Sequence, residues 1–456
     1  MKRKIVIVII AIIAVAILVI VFFKPSGSEK ININILGEDA STIRAMMSLE
    51  KEYEAKNPTI DLIFLPNTFD DAFNKSNQDF TNKTGLYDIV MQYNFSLSSF
   101  VRNGYVYGID ELIKEIPKKD LAFEKDLFQN VWKETSYYYE NINKPNNNEL
   151  KKYGYPFAAN SMVLMYNATM FNDEKNKQEY FNEYNKELNV PKSWEDFYNV
   201  AKFFTNKEKG TYGVCMEGVA GPFLYADWVN FHFGMGGKIM NKEIGWQGDE
   251  NTQMLLDSDA GEKALAYYVS LKPFNNGNYT NVEQFEQMRI MKEGNTTMAI
   301  VWTDMIYQNI KTEDGFDNRF KFDVIPGNKS IYHGGAYFIN RHSKHPQEAS
   351  KYIIDLLQPE NQILLARKGL CSASKKVYED TIVSKLPYAN ALLESLNRGA
   401  IFLEAGPDSY MISEVISNYV QKCWNGELSP SQALSQAQRE IENKRKEVFE
   451  DLSKTN

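Results

Sequence analysis

The chain has 456 residues, a formal net charge of −8, 13% aromatic residues and three cysteines. The acidic balance leaves a nucleic-acid partner without electrostatic support. Cys215, Cys371 and Cys423 are too few for a disulfide framework and fit no zinc spacing, so three buried thiols are expected, with one optional disulfide.

Met1-Lys2-Arg3-Lys4 is basic, and Ile5 to Phe23 is nineteen apolar residues without a break. A helix of that length nearly spans a hydrocarbon core, and the positive flank directs the bulk of the chain outside the cytoplasm. Two readings compete, a retained signal anchor and a cleaved signal peptide. No A-x-A follows the run, only Lys24-Pro25-Ser26-Gly27-Ser28, and with the length this favours the anchor. The roughly 430 residues that follow suit two lobes better than one small core.

Ile31 to Leu36 alternates as a first strand, and Gly37-Glu38-Asp39-Ala40-Ser41 opens a helix through about Asn57. Ile60 to Leu65 is a second strand, Phe69 to Thr81 a helix, and Tyr87 to Met91 a third strand that ends in Gln92-Tyr93-Asn94. This β-α-β-α-β rhythm implies a parallel sheet with helical crossovers, in which ligands bind beyond the carboxyl ends of strands. Short helices follow at 96–103 and 109–116. Pro156 stiffens the segment around Tyr155, and Met162 to Tyr166 reads as a buried strand entering a second lobe. Ser193 caps a helix, with Asp196 three residues on. Tyr212 to Cys215 is a strand, and Asp227-Trp228 starts a helix that ends at Gly234-Met235-Gly236-Gly237. Helices at 259–271 and 281–293 precede a turn at Gly294 and a buried strand to Trp302. Phe320 to Ile325 is a strand that Pro326-Gly327 ends, and Gly334 to Ile339 is a strand of the first lobe. Helices at 346–357 and 359–368 lead to a tail, 411–452, of two helices split at 425–430.

Several of these segments carry a resemblance. In order they are Tyr87-Asp88-Ile89-Val90, Tyr155-Pro156, Tyr166-Asn167, Pro191-x-x-Trp194, Gly236-Gly237, Gly294-x-x-x-Met298-x-x-x-Trp302, Gly334-Gly335 and the turn from Gly426 to Ala433. Together the chain resembles the bacterial extracellular solute-binding proteins of the sugar-delivering, maltose-binding-protein-like group. The resemblance covers nearly all of the chain after the N-terminal run. It implies an α/β, two-lobed periplasmic-binding-protein fold with three inter-lobe crossings, near 157–161, 325–330 and 369–374. The implied division is residues 1–30 for anchor or signal peptide and linker, 31–158 plus 326–372 for the N-terminal lobe, and 159–325 plus 373–456 for the C-terminal lobe. The implied role is capture of a carbohydrate, a mono- or oligosaccharide, and its delivery to ABC permease subunits by a monomer anchored through its N-terminal helix at the extracellular face of the cell membrane, or secreted if that segment is cleaved. No cofactor and no metal are expected.

The resemblance also points to residues. Trp302 occupies the position of a stacking aromatic, with Asp304 two residues on as a hydroxyl acceptor or helix cap. Asp227 and Trp228 match the second-lobe pocket wall. Glu38 follows the first strand, where its carboxylate would accept sugar hydroxyls. Gln92 and Asn94 end the third strand, Asn160 matches a polar crossing position, and Gly335 would permit close backbone approach.

An enzyme is not expected. The chain has no G-x-x-x-x-G-K-[ST], no H-E-x-x-H and no G-x-S-x-G. His342-x-x-His345 supplies only two ligands beside Lys344 and reads as a polar loop. A ligand sensor subunit for a membrane kinase, a binder of a non-sugar solute, and a glycan hydrolase with two facing carboxyl groups remain alternatives.

Overall fold

Alternation of Ile31, Ile33 and Ile35 turns one face of the first strand, β1 (Ile31–Glu38), into the core. The computed structural model describes residues 30–139, 150–241, 252–398, 401–402 and 406–454. Parallel to β1 run β2 (Ile60–Asn67), with Glu38 opposite Asn67, and β3 (Ile89–Tyr93), with Ile35 opposite Ile89. The single helix expected after β1 is two, α1 (Ser41–Met47) and α2 (Glu50–Lys56). Ser48 breaks it by turning its hydroxyl back onto the Ala45 carbonyl at 2.6 Å. The crossover α3 (Phe69–Asn82) begins on a Thr68 cap and leads toward β3.

The strand β4 (Tyr155–Asn167) is thirteen residues long and almost wholly buried. Beyond it come β5 (Tyr212–Val214), β6 (Thr296–Trp302), β7 (Phe320–Asp323) and β8 (Ile331–Ile339). The first half of β4 pairs with β8, from Tyr155 opposite Tyr337 to Ser161 opposite Tyr332. The second half pairs with β6, from Met162 opposite Trp302 to Tyr166 opposite Met298. One strand therefore serves two lobes. The first carries the order β2-β1-β3-β8-β4 and the second β5-β6-β4-β7.

The second lobe is built on α4 (Pro222–Gly234), α5 (Gln284–Glu293) and α6 (Thr303–Ile310), and α7 (Ser409–Asn425) packs on α4. Gly426, at φ +82°, ends α7 before α8 (Pro430–Lys454), as the Asn425 to Pro430 break implies. Ser193 caps its helix as expected, accepting from the Asp196 N–H at 3.1 Å. Cys215, Cys371 and Cys423 are buried free thiols. The apolar run Ile5 to Phe23 lies outside the described residues. Among the described residues no helix is long and apolar enough to cross a membrane.

Candidate functional site

The carboxyl ends of the first-lobe strands deliver one wall of a cleft. Glu38 ends β1, Tyr93 ends β3 and is followed by Asn94 and Phe95, and Phe69 opens α3 just past β2. The facing wall comes from the second lobe. It holds Trp302 at the end of β6, Asp304 in the first turn of α6, Gln284 at the start of α5, and Pro222, Phe223, Tyr225 and Ala226 from the first turns of α4. Asn160 and His333, opposite each other on β4 and β8, form the floor. Ser409, Tyr410 and Ser413 of α7 close one side. The cleft is partly open to solvent.

Aromatic rings line the floor and its flanks. His333 stacks on Tyr93 with centroids 4.4 Å apart and lies 5.7 Å from Trp302. Phe69 meets Tyr93, Phe95 and, across the cleft, Phe223. Such a surface suits the C–H face of a ring-shaped polar molecule.

Polar groups cluster beside it. The Tyr93 hydroxyl donates to Glu38 Oε2, and Gln284 Nε2 reaches Glu38 Oε1 from the other lobe at 3.5 Å. Asn160 Nδ2 donates to Asp304 Oδ2 at 2.7 Å, and the Ser41 hydroxyl donates to the Asp304 carbonyl at 2.6 Å. Glu38 and Asp304 are both half-buried at the cleft. Burial pushes Glu38 up to about 7, against the Tyr93 hydrogen bond and with the Asp304 charge reinforcing it. Burial likewise raises Asp304 to about 6, although the N–H groups of Asp304 and Met305 offset part of the effect. His333 is pushed down to about 3, so its imidazole is neutral.

Glu38, Asn94, Asn160, Trp302 and Asp304 are thus brought to one cleft, while Gln92, Asp227, Trp228 and Gly335 are not. Gln92 precedes Tyr93 in β3, so it points to the opposite face of the sheet, where it is buried. Asp227 and Trp228 do not start their helix: α4 begins at Pro222, a favourable first helical residue, after Gly221 at φ +118°. That early start places both in the interior of the second lobe. There Asp227 accepts from the Tyr268 hydroxyl at 2.7 Å, and Trp228 packs on His232 with centroids 4.6 Å apart. Gly335 makes room for protein rather than ligand, since a Cβ there would sit 2.2 Å from Phe157 Cζ.

Sequence reasoning missed Phe69, Phe95, Phe223, Gln284, His333 and Tyr410. Phe69 and Phe95 had a signal, since each follows a first-lobe strand end. Phe223 had one in the Gly221-Pro222 helix start. Tyr410 had none, because α7 reaches the cleft only through tertiary packing.

The chain matches known proteins in sequence family and fold. The model of the bacterial extracellular solute-binding protein family matches residues 48–391. Among solved structures, an ABC transporter solute-binding protein from Thermotoga lettingae bound with α-D-tagatose is 20% identical, with a TM-score of 0.74 over 91% of this chain and 99% of that one. A solute-binding protein from Agrobacterium radiobacter in complex with ribitol is 18% identical, with a TM-score of 0.72 over 92% and 100%. Maltose-bound MalE3 of T. maritima is 15% identical, with a TM-score of 0.72 over 90% and 98%. With three quarters of its length matched by the family model and an α/β fold of two lobes around a cleft, this chain belongs to the bacterial extracellular solute-binding proteins.

Proposed function

We propose that the protein captures a carbohydrate between its lobes and delivers it to an ABC importer. The observation that carries this is the pairing, in one inter-lobe cleft, of the Trp302–His333–Tyr93 rings with the acceptors Glu38, Asn160 and Asp304. Ring faces stack on aromatics, and buried hydroxyls need partners of this kind. The structural neighbours bound to tagatose, ribitol and maltose support the same ligand class. Binding would proceed as a monomer by hinge closure about 157–161, 325–330 and 369–374. Gly327 and Gly369 hold the second and third stretches at φ +80° and +107°, a conformation other residues rarely adopt. Ala159 N–H donates to the Cys371 carbonyl at 2.8 Å, and the Ser161 and Ser330 hydroxyls meet at 3.0 Å, so the three stretches form one bundle. Ligand contacting both lobes would favour the closed form by its differential affinity. The Ile5 to Phe23 run would hold the protein at the outer membrane face, near its permease.

A thermal-shift screen of the full chain tests this, with mono- and oligosaccharides against amino acids, polyamines and phosphate esters. At a hundredfold excess over Kd a ligand adds about 2.7 kcal/mol of stability. A selective shift with a sugar, lost in Trp302→Ala, is expected. A shift only with a control class removes the carbohydrate reading. Hydrolysis is the second reading, because Glu38 and Asp304 face one cleft. Incubation with maltotriose is expected to leave it intact, and any shortening would favour the hydrolase.

A further inference from the structure

Glu38 stands on the first lobe and Asp304 on the second, and both line one cleft. Among the described residues no lysine or arginine lines it, and the His333 imidazole is neutral. The donors nearest the carboxyls are committed: Tyr93 Oη and Gln284 Nε2 to Glu38, and Asn160 Nδ2 to Asp304. What remains unmet is acceptor. Asn160, only 2% exposed, has Oδ1 without a hydrogen-bond partner, and Asp304 Oδ1 takes none within ordinary geometry.

We propose that the cleft is built for a carbohydrate or polyol carrying a protonated amine, an amino sugar rather than a neutral one. This rests on the carbohydrate reading above and narrows it. A hydroxyl brings one donor, whereas an ammonium brings three and the charge the site lacks. Closing the lobes on a neutral sugar leaves two like carboxylates in a dry space, or forces one to take a proton. An ammonium between them removes that cost, and the Tyr93 and Trp302 rings beside it are favourable to a cation as well as to a sugar face. The groups facing Glu38 from its neighbours are Tyr93, Asp304, Asp39 and uncharged Gln284, and Asp304 faces Glu38 and, behind it, the buried Glu217. None of these is cationic. Proton and ammonium therefore compete for the same carboxyls, and amine binding should tighten as Glu38 ionises and weaken again once the ligand's ammonium releases its own proton.

Isothermal titration calorimetry of the full chain in mild detergent tests this. The probes are glucosamine and its dimer against N-acetylglucosamine, glucose and their dimers, at an acidic pH where Glu38 is protonated and at a higher pH near its midpoint, where Glu38 is partly ionised and the sugar amine still holds its proton. The free amines are expected to bind about tenfold or more tightly than the neutral probes at the higher pH, the scale of one charge-assisted hydrogen bond. The advantage should shrink at the lower pH and vanish in Glu38→Gln. Asp304→Asn provides a second variant, and thermal unfolding confirms that each is folded. Neutral probes binding as tightly as the amines at both pH values would overturn the amine preference and leave carbohydrate capture standing. If neither class binds, both readings fall.

Discussion

Desolvated titratable groups give this protein a particular pH response. Glu38, Asp304 and Asp227 are raised by burial from 4.5, 3.8 and 3.8 to about 7, 6 and 7, so the folded state holds protons that the unfolded chain releases. Their contribution to stability is fully present at low pH and is lost as pH rises through those values. His232 and His333 act in the opposite sense. Burial lowers them from 6.5 to about 4 and 3, so their contribution is present above 6.5 and is lost as pH falls. By about pH 7.5 the histidines are neutral in both states, and the buried carboxyls, Glu134 at about 8 among them, set the slope. The thermal midpoint of the ligand-free protein is therefore expected to fall between pH 6.5 and about 8, and Glu38→Gln should flatten part of that fall. Calorimetry that found a level or rising midpoint there would show that these acids are better solvated than their surroundings imply.

Among the elements, β3 and β8 show how packing and site divide between neighbouring residues. Gly335 lies opposite both Tyr93 and Ala158, with the Phe157 ring filling the space over it. Gly335→Ala is expected to cost about 1–3 kcal/mol in denaturant unfolding while sugar affinity per folded molecule stays unchanged. A selective loss of affinity would return Gly335 to the ligand surface. The order of strands and helices was legible because apolar periodicity and caps are local signals. The expected N-cap Ser193 and the break after Asn425 show this. The phase of a fully buried strand is not such a signal. Ile89-Val90-Met91-Gln92-Tyr93 is buried on both faces, so alternation could not say whether Gln92 or Tyr93 meets the cleft. The start of α4 was legible and misread, since Gly221-Pro222 is a stronger start than Asp227-Trp228. The α7 residues at the cleft were not legible, because a helix some 250 residues beyond β4 reaches it only once the lobes are packed.

At the scale of the molecule, the lobes touch directly as well as through the shared strand. Phe69 meets Phe223 at 5.8 Å, and Phe73 stacks on Tyr410 at 6.0 Å, bridging the cleft outside its polar centre. An aromatic pair contributes about 0.5–1.5 kcal/mol, so Phe73→Ala should populate the open form and weaken ligand binding about two- to tenfold. Small-angle scattering should show a larger ligand-free radius in that variant and equal radii once ligand is saturating. Equal radii without ligand would mean the pair does not hold the lobes together. The strand order has a consequence for how the chain is made. In the first sheet β8 lies between β3 and β4, and β8 ends at Ile339. No ribosome or export channel that has delivered only the first three hundred residues has released enough chain to complete either sheet, since the second also waits for β6 and β7. Folding is thus delayed by topology until most of the polypeptide has emerged. A fragment stopping before Ile331 is expected to be degraded rapidly by proteases that spare the whole chain. For a protein of an extracellular family, that delay keeps the nascent polypeptide threadable until it has crossed the membrane.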